Sequence, residues 1–108
     1  MVEYTYQLDT IFGSLSDPIR RDILATVARY EHSVGDLVAR YDVSFAAISK
    51  HLKVLEEACL IRKRREGRKQ MVSLAPGALR SADEYLEQYR RQWQSRYDKL
   101  DVVLNEME

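Results

Sequence analysis

The apolar residues that follow Ser44 recur at steps of three and four, the spacing of a single buried stripe on an α-helix. The stripe comprises Phe45, Ile48, Leu52 and Leu55. The other face carries Ala46, Ala47, Ser49, Lys50 and Lys53. Short side chains let a helix backbone approach the floor of a DNA major groove, and lysines can meet the flanking phosphates. The pattern therefore predicts a recognition helix over about residues 44–58.

Three shorter helices are predicted upstream of it. Apolar residues at helical spacing, Tyr4, Leu8, Ile11 and Phe12, predict a first helix that stops at Gly13. Asp17 and Pro18 can start a second helix that runs to about Tyr30, with the aspartate as its cap. Ser33 and Asp36 fit a capping box that opens a third helix. A short helix joined to a basic one by a tight connection is typical of a helix-turn-helix.

A β-hairpin is predicted over residues 60–74, with Gly67 in its turn. Its tip is strongly basic and carries Arg64, Arg65, Arg68 and Lys69. Like charges placed across two strands destabilise a hairpin. We therefore predict a wing that contacts DNA, at its phosphates or in the minor groove, in preference to a solvated loop.

One long helix is predicted over residues 78–107, about 45 Å at 1.5 Å per residue. Its apolar stripe runs over about four heptads and includes aromatic residues, more than a small domain can bury against itself. We predict a twofold dimer interface with the first helix alongside; the alternative is a helix folded back on its own core. The predicted interface residues are Tyr4, Leu8, Ile11, Leu79, Leu86, Tyr89, Trp93, Tyr97, Leu100 and Leu104.

Charge is unevenly distributed along the 108 residues, although the net charge is zero. Between Ser44 and Val72 there are eight Lys and Arg residues against three Glu. A concentrated positive potential suits a DNA partner, and a solvated charged face is the alternative. No apolar run approaches the ~20 residues that span a bilayer, and no signal peptide is evident. With a single cysteine in addition, we expect a cytoplasmic protein without a membrane partner.

Three segments resemble the ArsR/SmtB family of bacterial repressors: LSDPIRRDIL, VGDLVARYDVSFAAISKHLKVLEEACLI and RKRREGRKQMVSL. The resemblance implies one winged helix-turn-helix domain over residues 1–108, mostly α with a β-hairpin wing. Its implied order is four helices, the fourth reading DNA, then the hairpin and a fifth helix. It further implies a homodimer, joined through the N- and C-terminal helices, that binds a palindromic operator in double-stranded DNA and represses transcription.

The sequence departs from the family's metal sensors. These carry a cysteine pair where this chain has Val34, Gly35 and Asp36, and others place histidine ligands on the last helix, where this chain has none. Zinc-type sites need about three or four N or S ligands. The supply here is His32, His51 and Cys59 on different elements. We therefore expect no regulatory metal and no cofactor; a small-molecule effector is left open.

Four positions allow two roles each. Cys59 stands where the family usually has glycine, which predicts a left-handed residue that costs on the order of 1 kcal/mol. We favour a buried, weakly strained thiol over a redox sensor. His51 could contact DNA or bond locally, whereas His32 is expected in a loop without a specific role. For Asp17 and Arg20 we favour a helix cap plus an ion pair over phosphate contact.

Together these patterns predict a DNA-binding surface made from the recognition helix and the wing. Its residues are Ser44, Phe45, Ala46, Ser49, Lys50, His51, Lys53, Arg64, Arg65, Arg68 and Lys69. The resemblance marks Phe45 as a departure, because family members often have a polar residue there. Its ring could contact a thymine methyl or be buried on the apolar stripe.

Three other functions are weighed against a repressor that needs no effector. A ligand- or thiol-responsive repressor would need a pocket between the first and last helices. A dimeric interaction module that has lost DNA binding would not need the basic wing. An enzyme is least favoured, since the sequence shows no nucleophile–base pair, phosphate-cradling loop or metal cluster.

Overall fold

The computed structural model describes residues 2–107, with side chains described from Tyr6 onward. The helices and strands within this range are α1 (Val2–Ser14), α2 (Pro18–Arg29), β1 (His32–Ser33), α3 (Val34–Arg40), α4 (Phe45–Glu57), β2 (Ile61–Glu66), β3 (Lys69–Leu74) and α5 (Pro76–Glu106). The strands form one antiparallel sheet in the order β1-β3-β2. Three helices followed by a hairpin form the winged helix-turn-helix that the sequence predicted.

The core lies between the helices and the inner face of the sheet. Its fully buried side chains come from α1, α2, α3, α4 and β3, and from the link between α4 and β2: Ile11, Ile23, Leu37, Ile48, Leu52, Leu55, Leu60 and Val72. The buried stripe of α4 is therefore Ile48, Leu52 and Leu55. Placing Phe45 on that stripe is wrong, because its side chain is 63% exposed at the first helical position. Ile11 is completely buried, and Leu8 nearly so, which corrects their assignment to a dimer interface.

Side-chain caps start the middle helices at the predicted residues. Asp17 accepts hydrogen bonds from the backbone N–H of Ile19 at 2.8 Å and of Arg20 at 3.1 Å. Ser33 accepts from Asp36 N at 3.0 Å, and Ser44 accepts from Ala47 N at 3.1 Å. Each bond satisfies a backbone donor that the helix itself cannot pair.

Several helix boundaries differ from the prediction by one or two residues. The first helix continues past Gly13 and ends at Ser14. The last helix starts at Pro76, two residues earlier than predicted. Proline suits the first helical position because its missing N–H would have no partner there.

His32 lies in a strand, so its expected place in a loop is wrong. Residues His32 and Ser33 pair with Val72 and Met71 of β3. The His32 ring also stacks on Tyr30, with ring centroids 4.4 Å apart. A two-residue strand has no hydrophobic period of its own, and its pairing with β3 holds the start of α3 against the sheet.

The end of α4 is a Schellman motif. The backbone N–H of Cys59 donates to Glu56 O at 2.9 Å, and that of Leu60 donates to Leu55 O at 3.0 Å. This geometry requires a left-handed residue, and Cys59 has φ 59° as predicted. The thiol is exposed, however, so its expected burial is wrong. The motif turns Leu60 inward onto the buried Leu55 and starts the wing.

Replacing Cys59 with glycine is expected to stabilise the protein by up to about 1 kcal/mol, since glycine adopts the left-handed conformation without the steric cost of a Cβ. The exposed thiol leaves little packing to lose. Urea unfolding at fixed protein concentration measures the effect. Cys59→Ala is the control, because it removes the thiol but keeps the Cβ, and should change stability little. A destabilised Cys59→Gly variant would contradict this backbone geometry.

The far half of α5 extends away from the core. Only its first turns pack there, through the buried Ala78 and Ala82 and the half-buried Leu79, whereas residues 88–107 are all exposed. The radius of gyration is 18.5 Å, against about 13 Å for a compact chain of this length. The alternative of a helix folded back on its own core is therefore wrong. No helix in the described range is both long and apolar enough to cross a membrane.

Candidate nucleic-acid interface

The solvent face of α4 is small and basic at its N-terminal end. Burial of Ile48, Leu52 and Leu55 turns the opposite face outward. Ser44, Ala46, Lys50 and Lys53 are exposed there, and Ser49 is half-buried. Neither lysine forms an ion pair with another residue in the described part of the chain. Both charges are therefore free to meet an external anion.

The helix before α4 is held in place by a side-chain hydrogen bond to α2. The Tyr41 hydroxyl, at the end of α3, donates to Asp22 Oδ2 on α2 at 2.5 Å. Burial, together with this carboxylate, raises the pKa of Tyr41 above its usual value, so the hydroxyl keeps its proton. The bond ties α3 to α2 and so sets the position from which α4 starts.

The wing closes in a two-residue turn at Gly67 and Arg68, between the paired residues Glu66 and Lys69. Gly67 has φ 62°, as a type II′ hairpin turn requires at its first central position. The register puts Arg65 opposite Gln70 and Glu66 opposite Lys69. Like charges are therefore not directly opposite one another. The repulsion across the two strands that the sequence led us to expect is absent at these positions.

Arg64 is already paired within the chain. Its guanidinium donates to both carboxylate oxygens of Glu31 and lies 3.5 Å from Glu66. The hydrogen bond to Glu31 is the main reason that the pKa of Arg64 is raised further. Arg64 therefore anchors β2 to the loop before β1. A DNA contact at this residue would have to replace the pair, and Glu31 is a partner that the sequence analysis missed.

The other predicted wing cations are exposed and without such partners. Arg65, Arg68 and Lys69 form no ion pair with any residue whose side chain is described. Lys63, by contrast, lies 3.6 Å from Glu56 of α4. The part of the wing nearest the domain therefore has ion-paired cations, which fix it to α4 and to the loop before β1. The cations at the tip have no such partners.

His51 has local partners instead of facing solvent. Its Nδ1 lies 3.3 Å from Arg20 Nη1 and 3.9 Å from Asp17 Oδ1, and its side chain is 17% exposed. A guanidinium can only donate, so Nδ1 accepts. Of the two roles predicted for His51, the geometry supports the local one.

Asp17 and Arg20 serve helix ends, as the structural interpretation predicted. The backbone N–H of Arg20 is the main cause that holds the pKa of Asp17 below its usual value. Arg20 Nε donates to Ser14 O at 2.6 Å, at the end of α1. The guanidinium thus bonds a helix carbonyl as well as His51, and the expected Asp17–Arg20 ion pair is not formed.

A groove of about 440 Å³ separates the tip of the wing from the start of α4. Its lining joins the N-terminal turn of α3, the first residue of α4 and the wing: Ser33, Val34, Gly35, Asp36, Phe45, Arg68, Lys69 and Gln70. Phe45 and Arg68 therefore face one shared space, so a molecule that entered the groove would meet an aromatic ring, two cations and the carboxylate of Asp36.

A second groove, of about 540 Å³, lies where α1, the end of α4, β2 and the start of α5 meet. It is lined by Gln7, Glu56, Cys59, Ile61, Arg62, Ala75, Gly77 and Ala78. An effector-responsive repressor would need a pocket in this place. Among the side chains of residues 6–107, no three His, Cys, Asp or Glu residues are grouped so that they could hold a metal ion.

Apolar side chains remain exposed along α5 and form a surface that we call the α5 strip. The α5 strip consists of Leu86, Tyr89, Trp93, Tyr97, Leu100 and Leu104, each between 41% and 54% exposed. Two of its aromatic side chains lie next to each other, with the ring centroids of Trp93 and Tyr97 6.2 Å apart. At its near end, Tyr85 bonds Tyr89 and contacts Phe12 of α1. The side chain of Tyr4 lies outside the described residues.

Comparison with known proteins gives a consistent result. Residues 17–63 match the profile of "Bacterial regulatory protein, arsR family". The chain is 36% identical over 74 residues to a transcriptional repressor SmtB homolog from Synechocystis, a match that covers 68% of this chain and 56% of that protein. It is 33% identical to an HTH-type transcriptional regulator from Mycobacterium tuberculosis, covering 75% of this chain and 76% of the other.

A solved structure shares the fold over nearly the whole chain. An ArsR-like transcriptional regulator from Rhodococcus superposes with a TM-score of 0.73 at 28% identity, covering 92% of this chain and 93% of the other. The likeness therefore includes much of α5 and the part of the wing after residue 63, which lie beyond the profile match.

Proposed function

Because this chain belongs to the arsR family of bacterial regulatory proteins, we propose that it is a homodimeric transcriptional repressor that binds a palindromic operator without a regulatory metal. The family and the two relatives described above are DNA-binding regulators and not enzymes. The observation that carries the proposal is the set of exposed, unpaired cations that α4 and the tip of the wing present together.

In this proposal α4 enters the major groove and the wing follows the phosphate backbone. Ser49 and Lys50 reach base edges, and Lys53 meets a phosphate beside them. Arg65, Arg68 and Lys69 supply the phosphate contacts of the wing. The pair between Arg64 and Glu31 supports them by holding β2 in place.

The α5 strip supplies the dimer interface. Six large apolar side chains exposed along one side of a helix are a surface that a soluble monomer rarely leaves uncovered. A twofold contact through the same strip on two chains would cover it and place two α4 helices for one operator. The first helix contributes at its exposed positions, including Phe12, while Leu8 and Ile11 stay in the core.

Metal-independent action is supported by the donor set. Val34, Gly35 and Asp36 stand where the family's metal sensors have cysteines, and Cys59 is the only cysteine in the sequence. Because its proposed target is chromosomal DNA, which in bacteria lies in the cytoplasm, the protein would act there.

Selection of bound sequences from a random DNA pool tests the proposal. We expect a palindrome whose half-site centres lie about 10 bp apart, or a multiple of that, because two symmetric α4 helices must reach successive turns of the same duplex face. A pool that shows no enrichment, or an asymmetric single site, would contradict it.

The second groove is the place where an effector-responsive form of the same repressor would bind its ligand, and this form is the second candidate function. A thermal-shift screen of small molecules against the free protein and its operator complex separates the two forms. A compound that raises the melting temperature and releases the operator would establish the responsive form.

A further inference from the structure

The first turn of α4 offers DNA an apolar surface. Phe45 and Ala46 are both exposed, and neither side chain can form a hydrogen bond. The Ser44 oxygen beside them already accepts the bond that caps the helix. The Ser44 hydroxyl proton remains available to donate, and the next side chains on this face that can form hydrogen bonds are Ser49 and Lys50, one turn later. The side chains of Phe45 and Ala46 can therefore contact bases only through apolar surface.

Cations flank this apolar turn on both sides. Lys50 lies on the next turn of α4, and Arg68 and Lys69 line the opposite wall of the groove that contains Phe45. A strand of DNA whose phosphates were held by these cations would bring base edges against the Phe45 ring. The carboxylate of Asp36 also lines this groove, but Lys50, Arg68 and Lys69 outnumber it, so the surface is still complementary to the phosphates of DNA.

Thymine is the base that fits such a surface. In the major groove it alone presents a methyl group, at C5, whereas the other bases present mainly donors and acceptors. Placing a phenyl ring on those polar edges would desolvate them without providing hydrogen bonds. We propose that Phe45, supported by Ala46, is a specificity-determining residue that recognises thymine methyl groups in each operator half-site. The inference rests on the proposed function.

Deoxyuridine substitution tests this contact, since deoxyuridine differs from thymidine only in lacking the methyl. The operator from the selection should contain a thymine in each half-site whose replacement weakens wild-type binding. We expect about a fourfold loss for each half-site, the factor for burial of one methyl carbon, and about 15-fold for both. The same replacement at other thymines should have no such effect.

Protein variants assign the effect to Phe45. For Phe45→Ala, thymine and deoxyuridine operators should bind equally, because the ring that contacts the methyl is gone. Lys53→Ala is the matched control: it should weaken binding to both operators alike and keep the wild-type ratio between them. Melting temperatures close to that of the wild type check that the exposed substitutions leave the fold intact.

The possible outcomes distinguish a failure of the thymine contact from a failure of the proposed repressor function. An operator that binds wild-type protein equally well with deoxyuridine at every thymine would overturn the role of Phe45 and leave the repressor standing. A Phe45→Ala variant that keeps the full methyl effect would do the same. Failure to select any operator would reject the repressor, and the thymine contact with it.

Discussion

Replacing Trp93 with alanine is expected to weaken the dimer by about 1,000-fold. The indole is 54% exposed on the protomer and lies at the middle of the α5 strip. A central aromatic residue contributes about 2 kcal/mol or more to an interface. A twofold contact loses it twice, about 4 kcal/mol in all, and each 1.4 kcal/mol is about tenfold. Sedimentation equilibrium over a range of protein concentrations measures the change.

Arg91→Ala is the matched control for this prediction. Arg91 lies on the opposite side of α5 with its side chain 81% exposed, so its loss should leave the dimer unchanged. Operator binding should weaken in Trp93→Ala at concentrations where the protein is monomeric, and recover as concentration rises. A Trp93→Ala protein that stays dimeric, or a wild-type protein that is a monomer, would show that the α5 strip is not the dimer interface.

Replacing both Arg65 and Arg68 with alanine is expected to reduce operator affinity by about 100- to 1,000-fold at physiological salt. The dimer would lose up to four phosphate contacts, each of which contributes about 0.9 to the slope of log K against log salt. The slope should therefore fall by about 3 to 4. Fluorescence anisotropy with labelled operator over a series of salt concentrations measures affinity and slope together.

A double variant with the same charge change controls for net charge. Arg29→Ala with Arg80→Ala removes two exposed arginines outside α4 and the wing. It should lower the salt slope much less than the wing variant does. If the wing variant keeps both the affinity and the slope of the wild type, the wing does not contact DNA.

The interactions that the sequence determined are those between residues close along the chain. Asp17, Ser33 and Ser44 cap helices through backbone groups two or three residues away. The left-handed Cys59 follows equally from the helix that ends before it. Helical spacing located the buried stripe of α4, and the length of the α5 stripe showed that it could not all be covered within one protomer.

The tertiary structure decided everything that depends on contacts between distant segments. Glu31 neutralises Arg64 from 33 positions away, and β1 exists because His32 and Ser33 pair with β3. Arg20 meets His51 across 31 positions and draws it away from solvent. Periodicity placed Ile11 on an apolar face without saying which surface covers it, and it placed Phe45 on a stripe that the core does not reach. A linear pattern records which side chains are apolar or charged, but only the packed chain determines which of them already have partners.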